Sequence, residues 1–313
     1  MAKIPGSVAV LSIALTGLFA SSASAAMPLC EGAGAPQVLY SDQGKLESVI
    51  VGNSGRLYFS STPTGNTTSS ELLKIDRPGA TPELVTSAPP GPGGLAWDKR
   101  RLLWGYGNTA ANGAIGDVTP VAGMNSVNPV NGKKFNVSKT LGMANGIAKA
   151  PNGAIFASND FGQKLDRITT KGFTINGWAL VDKANGLTIS PDGKFIYANL
   201  IFSVPPTIAS IEIADAANVT TYAAAPADTP MSILDGLTRD DAGNLYVAAW
   251  GKGEVWKVDT SGNFCVLATG LSQTSSLYLG RGKRGFKAGS LYVVGFDGKI
   301  VKVPGAYAAT QPS

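Results

Sequence analysis

Ala184-Asn185-Gly186-Leu187-Thr188-Ile189-Ser190-Pro191-Asp192-Gly193-Lys194-Phe195-Ile196-Tyr197 reads as two short apolar runs around a Pro-Asp-Gly turn, the first opened by an Asn-Gly pair. The turn glycine supplies the positive φ that tight hairpins require. The same frame returns at Glu47-Ser48-Val49 to Gly55-Arg56-Leu57-Tyr58-Phe59, at Asn145-Gly146-Ile147 to Gly153-Ala154-Ile155-Phe156-Ala157, and at Asp235-Gly236-Leu237 to Gly243-Asn244-Leu245-Tyr246-Val247. In all four copies the opening polar residue precedes the turn glycine by eight positions. Two looser copies complete the set. Gly93-Gly94-Leu95-Ala96-Trp97 to Leu102-Leu103-Trp104 has a shortened turn, and Ser275-Ser276-Leu277-Tyr278-Leu279 to Ser290-Leu291-Tyr292-Val293-Val294 a long basic one.

Third strands follow at Leu72-Leu73-Lys74-Ile75, Lys164 to Ile168, Ala209 to Ile213, Gly253 to Val258 and Lys299 to Val303. The unit is thus a β-meander of about 40 to 50 residues, too small to bury both of its faces alone, so copies must stack. Six copies around an axis predict an all-β, six-bladed β-propeller of four-stranded antiparallel blades. Pro36-Gln37-Val38-Leu39-Tyr40 precedes the first frame and is a spare strand, expected to close the ring as the outermost strand of the last blade. A β-helix or a sandwich fits less well, because each repeat is long and ends in a meander of its own.

The composition agrees. Charged residues make up 15% of the 313 residues, against roughly 25% in an average domain. There are 39 glycines and 19 prolines, which suits turns better than helices. Histidine is absent altogether, which excludes Ser-His-Asp and Cys-His triads and His-ligated zinc. Two cysteines cannot form a four-thiolate site. A metal here would be held by oxygen ligands, which points to calcium, magnesium or manganese.

Residues 1–26 read as a signal peptide: Lys3 opens it, Val8 to Ala20 is its apolar run, and Ala23-Ser24-Ala25 fits a cleavage site. The apolar run is too short to span a membrane. Residues 27–313 are expected to form one secreted, monomeric propeller domain. In an oxidising compartment Cys30 and Cys265 are expected to pair. Ring closure would set Cys30 beside the outer strand that carries Cys265. Asn66, Asn136 and Asn218 head sequons that permit N-glycosylation. The net charge of +5 is modest, and the basic clusters fall in predicted turns, so neither nucleic acid nor membrane is an expected partner.

The inner strand of each blade lines the channel of a propeller, so the frame starts should meet near one mouth. Around the ring they read Glu47, Gly93, Asn145, Asn185, Asp235 and Ser275. Carboxylates and carboxamides converging in a ring suit a calcium ion. The bland alternative is that Asn-Gly and Asp-Gly are ordinary turn dipeptides; against it, the hairpin turn is a separate one further along each frame.

The chain resembles the gluconolactonase and regucalcin-like family, which includes luciferin-regenerating enzymes and, more distantly, paraoxonases and strictosidine synthase. The resemblance rests on Ala184-Asn185-Gly186-Leu187 with Ser190-Pro191-Asp192-Gly193-Lys194, on Leu234-Asp235-Gly236-Leu237 with Asn244 to Gly251, and on Gly289 to Val294. It implies a divalent metal, calcium by expectation, on Glu47, Asn185 and Asp235, with Asn145 on substrate or metal. It further implies that the ion polarises a lactone carbonyl while a carboxylate activates water, Asp235 first and Glu47 second. Met143 stands where the family places an arginine that grips sugar acids. With Tyr106, Phe161 and Trp250 it predicts a more apolar mouth, and hence an apolar ester, lactone or natural-product intermediate as substrate.

Three readings follow. The first is a secreted metal-dependent lactonase or esterase. The second is a non-hydrolytic condensing or cyclising enzyme, metal-free, acting by proximity and by hydrogen bonds from Asn145 or Asn185. The third is a binding propeller without chemistry.

Overall fold

The computed structural model describes residues 26–227, 229 and 232–312; the signal-peptide expectation, save Ala26, lies outside them. Strand β1 (Gln37–Tyr40) precedes the first blade, which is β2 (Lys45–Val51), β3 (Leu57–Thr62), β4 (Ser70–Ile75) and β5 (Glu83–Ala88). The second is β6 (Pro92–Asp98), β7 (Arg101–Tyr106), β8 (Ala122–Val127) and β9 (Lys134–Leu141), interrupted after β7 by helix α1 (Ala110–Gly116). The third is β10 (Ile147–Lys149), β11 (Ile155–Ala157), β12 (Lys164–Ile168) and β13 (Thr174–Leu180). The fourth is β14 (Ala184–Ile189), β15 (Phe195–Leu200), β16 (Thr207–Glu212) and β17 (Val219–Ala224). The fifth is β18 (Leu234–Arg239), β19 (Leu245–Ala249), β20 (Glu254–Val258) and β21 (Phe264–Ala268). The last is β22 (Thr274–Leu279), β23 (Ser290–Gly295) and β24 (Ile300–Pro304).

Each blade is a separate four-stranded antiparallel sheet, and the sixth is completed by β1 pairing with β24. The ring is therefore closed by an N-terminal strand, as the repeat pattern predicts. The hairpin glycines Gly55, Gly153, Gly193 and Gly243 all hold positive φ, between 73° and 97°. The core lies between blades. Phe156 and Leu165 of the third blade, for example, share one buried cluster with Leu187, Ile196 and Ile211 of the fourth.

The segment before β1 reaches the fifth blade as well as the sixth. Cys30 N–H donates to the Val266 carbonyl, Val266 N–H donates to the Pro28 carbonyl, and Cys30 and Cys265 form a disulfide with a Cα–Cα distance of 5.1 Å. Among the described residues no helix is long and apolar enough to cross a membrane.

Candidate functional site

The inner strands enclose a cavity of about 260 Å³. Glu47, Asn145, Asn185, Asp235 and Ser275 line it, so five of the six frame starts share one cavity, and Gly93 is not among its lining residues. A local irregularity recurs in the inner strands of five blades, the third being regular. In β2 the register slips between Leu46 and Ser48, which leaves Glu47 as an extra residue. In β14 it slips between Ala184 and Leu187, and in β18 between Leu234 and Leu237, around Asn185-Gly186 and Asp235-Gly236. The slips at β6 and β22 fall at Gly93-Gly94 and Ser275. A β-bulge leaves a residue outside the ladder and redirects its side chain.

The Asn-Gly and Asp-Gly pairs are thus not turns, and their glycines answer to a different demand. Gly146 and Gly186 are absent from the positive-φ set. A Cβ on Gly146 would lie 2.2 Å from the Asn185 carbonyl oxygen, because the next blade's bulge packs against it. Small polar side chains fasten these contacts. Ser158 Oγ donates to the Asn185 carbonyl at 2.6 Å, and Asn199 Nδ2 to the Asp235 carbonyl at 2.9 Å.

Two carboxylates, Glu47 and Asp235, line the cavity with two carboxamides, Asn145 and Asn185. Asn108 Nδ2 donates to Glu47 Oε1 at 2.9 Å and to the Pro92 carbonyl at 3.1 Å. Asp160 and Asn108 belong to the connections that follow β11 and β7, outside the repeated frame. Glu47 is partly buried and lines the cavity. Asp160 and Asp235 are 6% and 7% exposed.

Burial raises all three acids. The Glu47 carboxyl is pushed up to about 8, by desolvation first and then by Asp160, against the pull of Lys45 and Asn108. Desolvation raises Asp160 to about 6, the Asn145 hydrogen bond opposing it. Desolvation, Glu47 and Asp160 raise Asp235. None of the three forms an ion pair among the described residues. Asp160 Oδ1 and Asn108 Oδ1 are buried without a hydrogen-bond partner. Among the described residues no three of Cys, Asp and Glu are grouped so as to hold an ion by themselves. The donor set is a mixed one, of carboxylate and carboxamide oxygens.

Met143, Tyr106, Phe161 and Trp250 do not line the cavity. Met143 is buried, packed against α1 where a Cβ on Gly113 would lie 2.7 Å from its Sδ. The Tyr106 hydroxyl accepts from Asn136 Nδ2 at 3.2 Å. Phe161 and Trp250 lie in connections that open on the same face as the frame starts. Phe161, 43% exposed, stands 6.5 Å from Phe202, 50% exposed. Trp250 meets Phe296 edge-on at 6.2 Å, and Lys45 Nζ sits 3.9 Å above the Phe296 ring. Phe202, Phe296 and Lys45 escape a sequence reading because they occupy no repeated position.

A model of the SMP-30/gluconolactonase/LRE-like region matches residues 157–294. No curated protein matches the chain by sequence. Among solved structures, a gluconolactonase from Xanthomonas campestris superposes with a TM-score of 0.65 at 16% identity, covering 90% of this chain and 98% of that one. A calcium-binding protein, regucalcin, from Agrobacterium tumefaciens gives 0.62 at 16% identity, over 89% and 95% of the two chains. A catalytically inactive virginiamycin B lyase from Staphylococcus aureus, solved with quinupristin, gives 0.59 at 12% identity, over 86% and 98%. At these identities the likeness is one of fold.

Proposed function

From a chain whose residues 157–294 match a model of the SMP-30/gluconolactonase/LRE-like region, we propose a secreted, monomeric metal-dependent lactonase or esterase, formed by residues 27–313 after loss of a signal peptide at 1–26. The carrying observation is that Glu47 and Asp235, unpaired with any base among the described residues, line one cavity with Asn145 and Asn185. Buried like charges without a counter-ion are costly, and a divalent cation answers their charge. Glu47, Asn185 and Asp235 are the residues that would hold it, and hard oxygen donors favour calcium. When bound, such an ion polarises a carbonyl oxygen as a Lewis acid.

The chain's own groups supply the rest. Asp235 takes the proton from the water that attacks the acyl carbon, and returns it to the departing ester or lactone oxygen as the C–O bond breaks. Glu47 is the second candidate for this role. Asn145 orients the substrate from the mouth. Phe161, Phe202, Trp250 and Phe296 favour an apolar acyl or alcohol portion over a hydrophilic sugar lactone. The Cys30–Cys265 disulfide supports an oxidising destination.

The test is a thermal melt of EDTA-treated mature protein across a calcium titration, followed by a screen of aryl esters and lactones. A site filled at 100 times its dissociation constant should stabilise by roughly 2.7 kcal/mol. Stabilisation and turnover should both vanish in Asp235→Ala. Full hydrolysis by metal-stripped protein would refute the mechanism. The exposed Phe161–Phe202 pair favours a second reading, metal-free condensation or cyclisation of an apolar intermediate held at the mouth. It predicts tight binding of aromatic or terpenoid ligands in EDTA.

A further inference from the structure

The basic turn of the sixth blade is longer than a hairpin needs. It spans residues 280–289 between β22 and β23, whereas the equivalent connections run 52–56, 150–154, 190–194 and 240–244. It carries Arg281, Lys283, Arg284 and Lys287, all exposed. Phe286 anchors it. That ring is fully buried, edge-on to Tyr292 at 5.0 Å, and the Phe286 N–H donates to the Gly55 carbonyl at 2.8 Å. The turn is thus fastened to the first blade. Arg281 N–H donates to the Phe286 carbonyl at 3.1 Å, and the Arg281 guanidinium stands 5.4 Å above the Tyr278 ring. Both Arg281 and Tyr278 line the channel cavity.

They do so at the end opposite the frame starts. Neighbouring inner strands are level with one another: a Cβ on Gly186 would lie 2.4 Å from Leu237 N, and one on Gly236 2.7 Å from Ser276 Cα. Three residues on from Gly186, Gly236 and Ser276, the strands end together at Ile189, Arg239 and Leu279. Arg239 ties that level across two blades, because its Nε donates to the Ile189 carbonyl and its Nη1 to the Asp240 carbonyl at 2.9 Å. About 13 Å of extended chain separates Arg239 from Asp235. Arg239 is half-buried and lines the cavity, with its guanidinium fixed by those carbonyls.

Neither arginine forms an ion pair among the described residues, although the exposed Asp241 lines the same cavity. Lys149, the last residue of β10, is the other cation there, and it is paired with Asp98. A solvated turn tip would need neither the Phe286 anchor nor a fixed arginine inside the channel. Guanidinium forks held in place and without a carboxylate partner match the oxygens of an anion.

We propose that this end of the channel binds a small oxyanion, a phosphate or a carboxylate, gripped by Arg239 and Arg281. Lys283, Arg284 and Lys287 raise the local potential that draws it in. The site uses none of the residues assigned to the cation, so it stands or falls apart from the metal-dependent reading.

The experiment is isothermal titration of mature protein, stripped of metal and dialysed free of chelator, with sodium phosphate and separately with sodium malonate. The wild type is compared with Arg281→Ala, Arg239→Gln and the double variant Lys283→Ala with Lys287→Ala. The first two should bind about 10- to 100-fold more weakly, the loss of charge-assisted hydrogen bonds. The lysine variant should lose less than about threefold in about 0.15 M chloride, where distant charges are screened. The tighter of the two anions tells phosphate from carboxylate. Arg281 is exposed, so Arg281→Ala should melt with the wild type and keeps the test decisive even if Arg239→Gln damages the fold. No binding of either anion would overturn the proposal, as would wild-type affinity in Arg281→Ala. A lysine variant as weak as Arg281→Ala would mean diffuse attraction to a basic face, and would overturn it too.

Discussion

A Cβ on Gly186 would stand 2.4 Å from the carbonyl oxygen of Asp235, in the next blade. The two residues thus fix each other: the fourth blade's bulge can form only where the fifth blade's bulge leaves room. Gly186→Ala forces backbone to move at the point where two proposed ligands, Asn185 and Asp235, are aimed. Overpacking of this kind costs about 2–3 kcal/mol, to be read as a lower denaturant midpoint. The variant should also lose cation affinity, although alanine touches no ligand atom. Unchanged midpoint and affinity would mean that the ring absorbs the methyl elsewhere.

The disulfide offers a separate test of ring closure. Cys30 and Cys265 bridge residues 235 apart in sequence. On the chain-entropy account a loop of that length stabilises by about 5 kcal/mol. Cys30→Ser with Cys265→Ser should lose that amount in chemical unfolding, and dithiothreitol should reproduce the loss in the wild type. Because Leu29 also pairs with Val266, and β1 with β24, proteolysis of the reduced protein should begin ahead of β1. Cleavage elsewhere first would place the weak point outside the closure.

These relationships divide cleanly into those legible in the sequence and those not. Glu47, Asn145, Asn185 and Asp235 could be read because each opens a copy of one frame, and a ring of copies must bring equivalent positions together. Asn108 and Asp160 could not, since both come from connections between second and third strands, where length and composition differ in every blade. The same reason hides α1: Ala110-Ala-Asn-Gly-Ala-Ile-Gly116 has no apolar stripe, and its Thr109 cap, accepting from Asn112 N–H at 3.2 Å, is visible only once the turn forms. Strand β8, Ala-Gly-Met-Asn-Ser-Val, is missing from the sequence reading because its Gly and Asn depart from a strand-like pattern.

Phe161 and Phe202 make the expectation of an apolar substrate testable without touching the acids. Each is about half exposed, and both lie in connections on the same face as the frame starts. Removing both rings by Phe161→Ala with Phe202→Ala should raise KM for an aryl ester roughly tenfold, the loss of modest apolar contact. The value of kcat should hold, and so should kcat/KM for a small aliphatic lactone. Equal losses on both substrates would show that the pair shapes the mouth rather than gripping the apolar group.

The acids themselves give the fold a pH dependence whose sign is opposite to that of carboxylates held by a salt bridge or hydrogen bonds. Glu47 moves from an ordinary 4.5 to about 8, and Asp160 from 3.8 to about 6, both chiefly through burial. A folded-state value above the unfolded one means that the native protein binds the proton more tightly. The stabilisation is fully present below about pH 4, and is lost as pH rises through about 6 and then about 8. In EDTA, therefore, unfolding free energy should fall between pH 5 and 8, and Glu47→Gln should flatten the upper part of that slope. Saturating calcium should remove the decline in the wild type, because the cation takes the place of the protons and binds best where they have left. Paired urea titrations at pH 5 and 8, with and without calcium, decide it. A metal-free protein equally stable at both pH values would show that the mouth tolerates its charges bare.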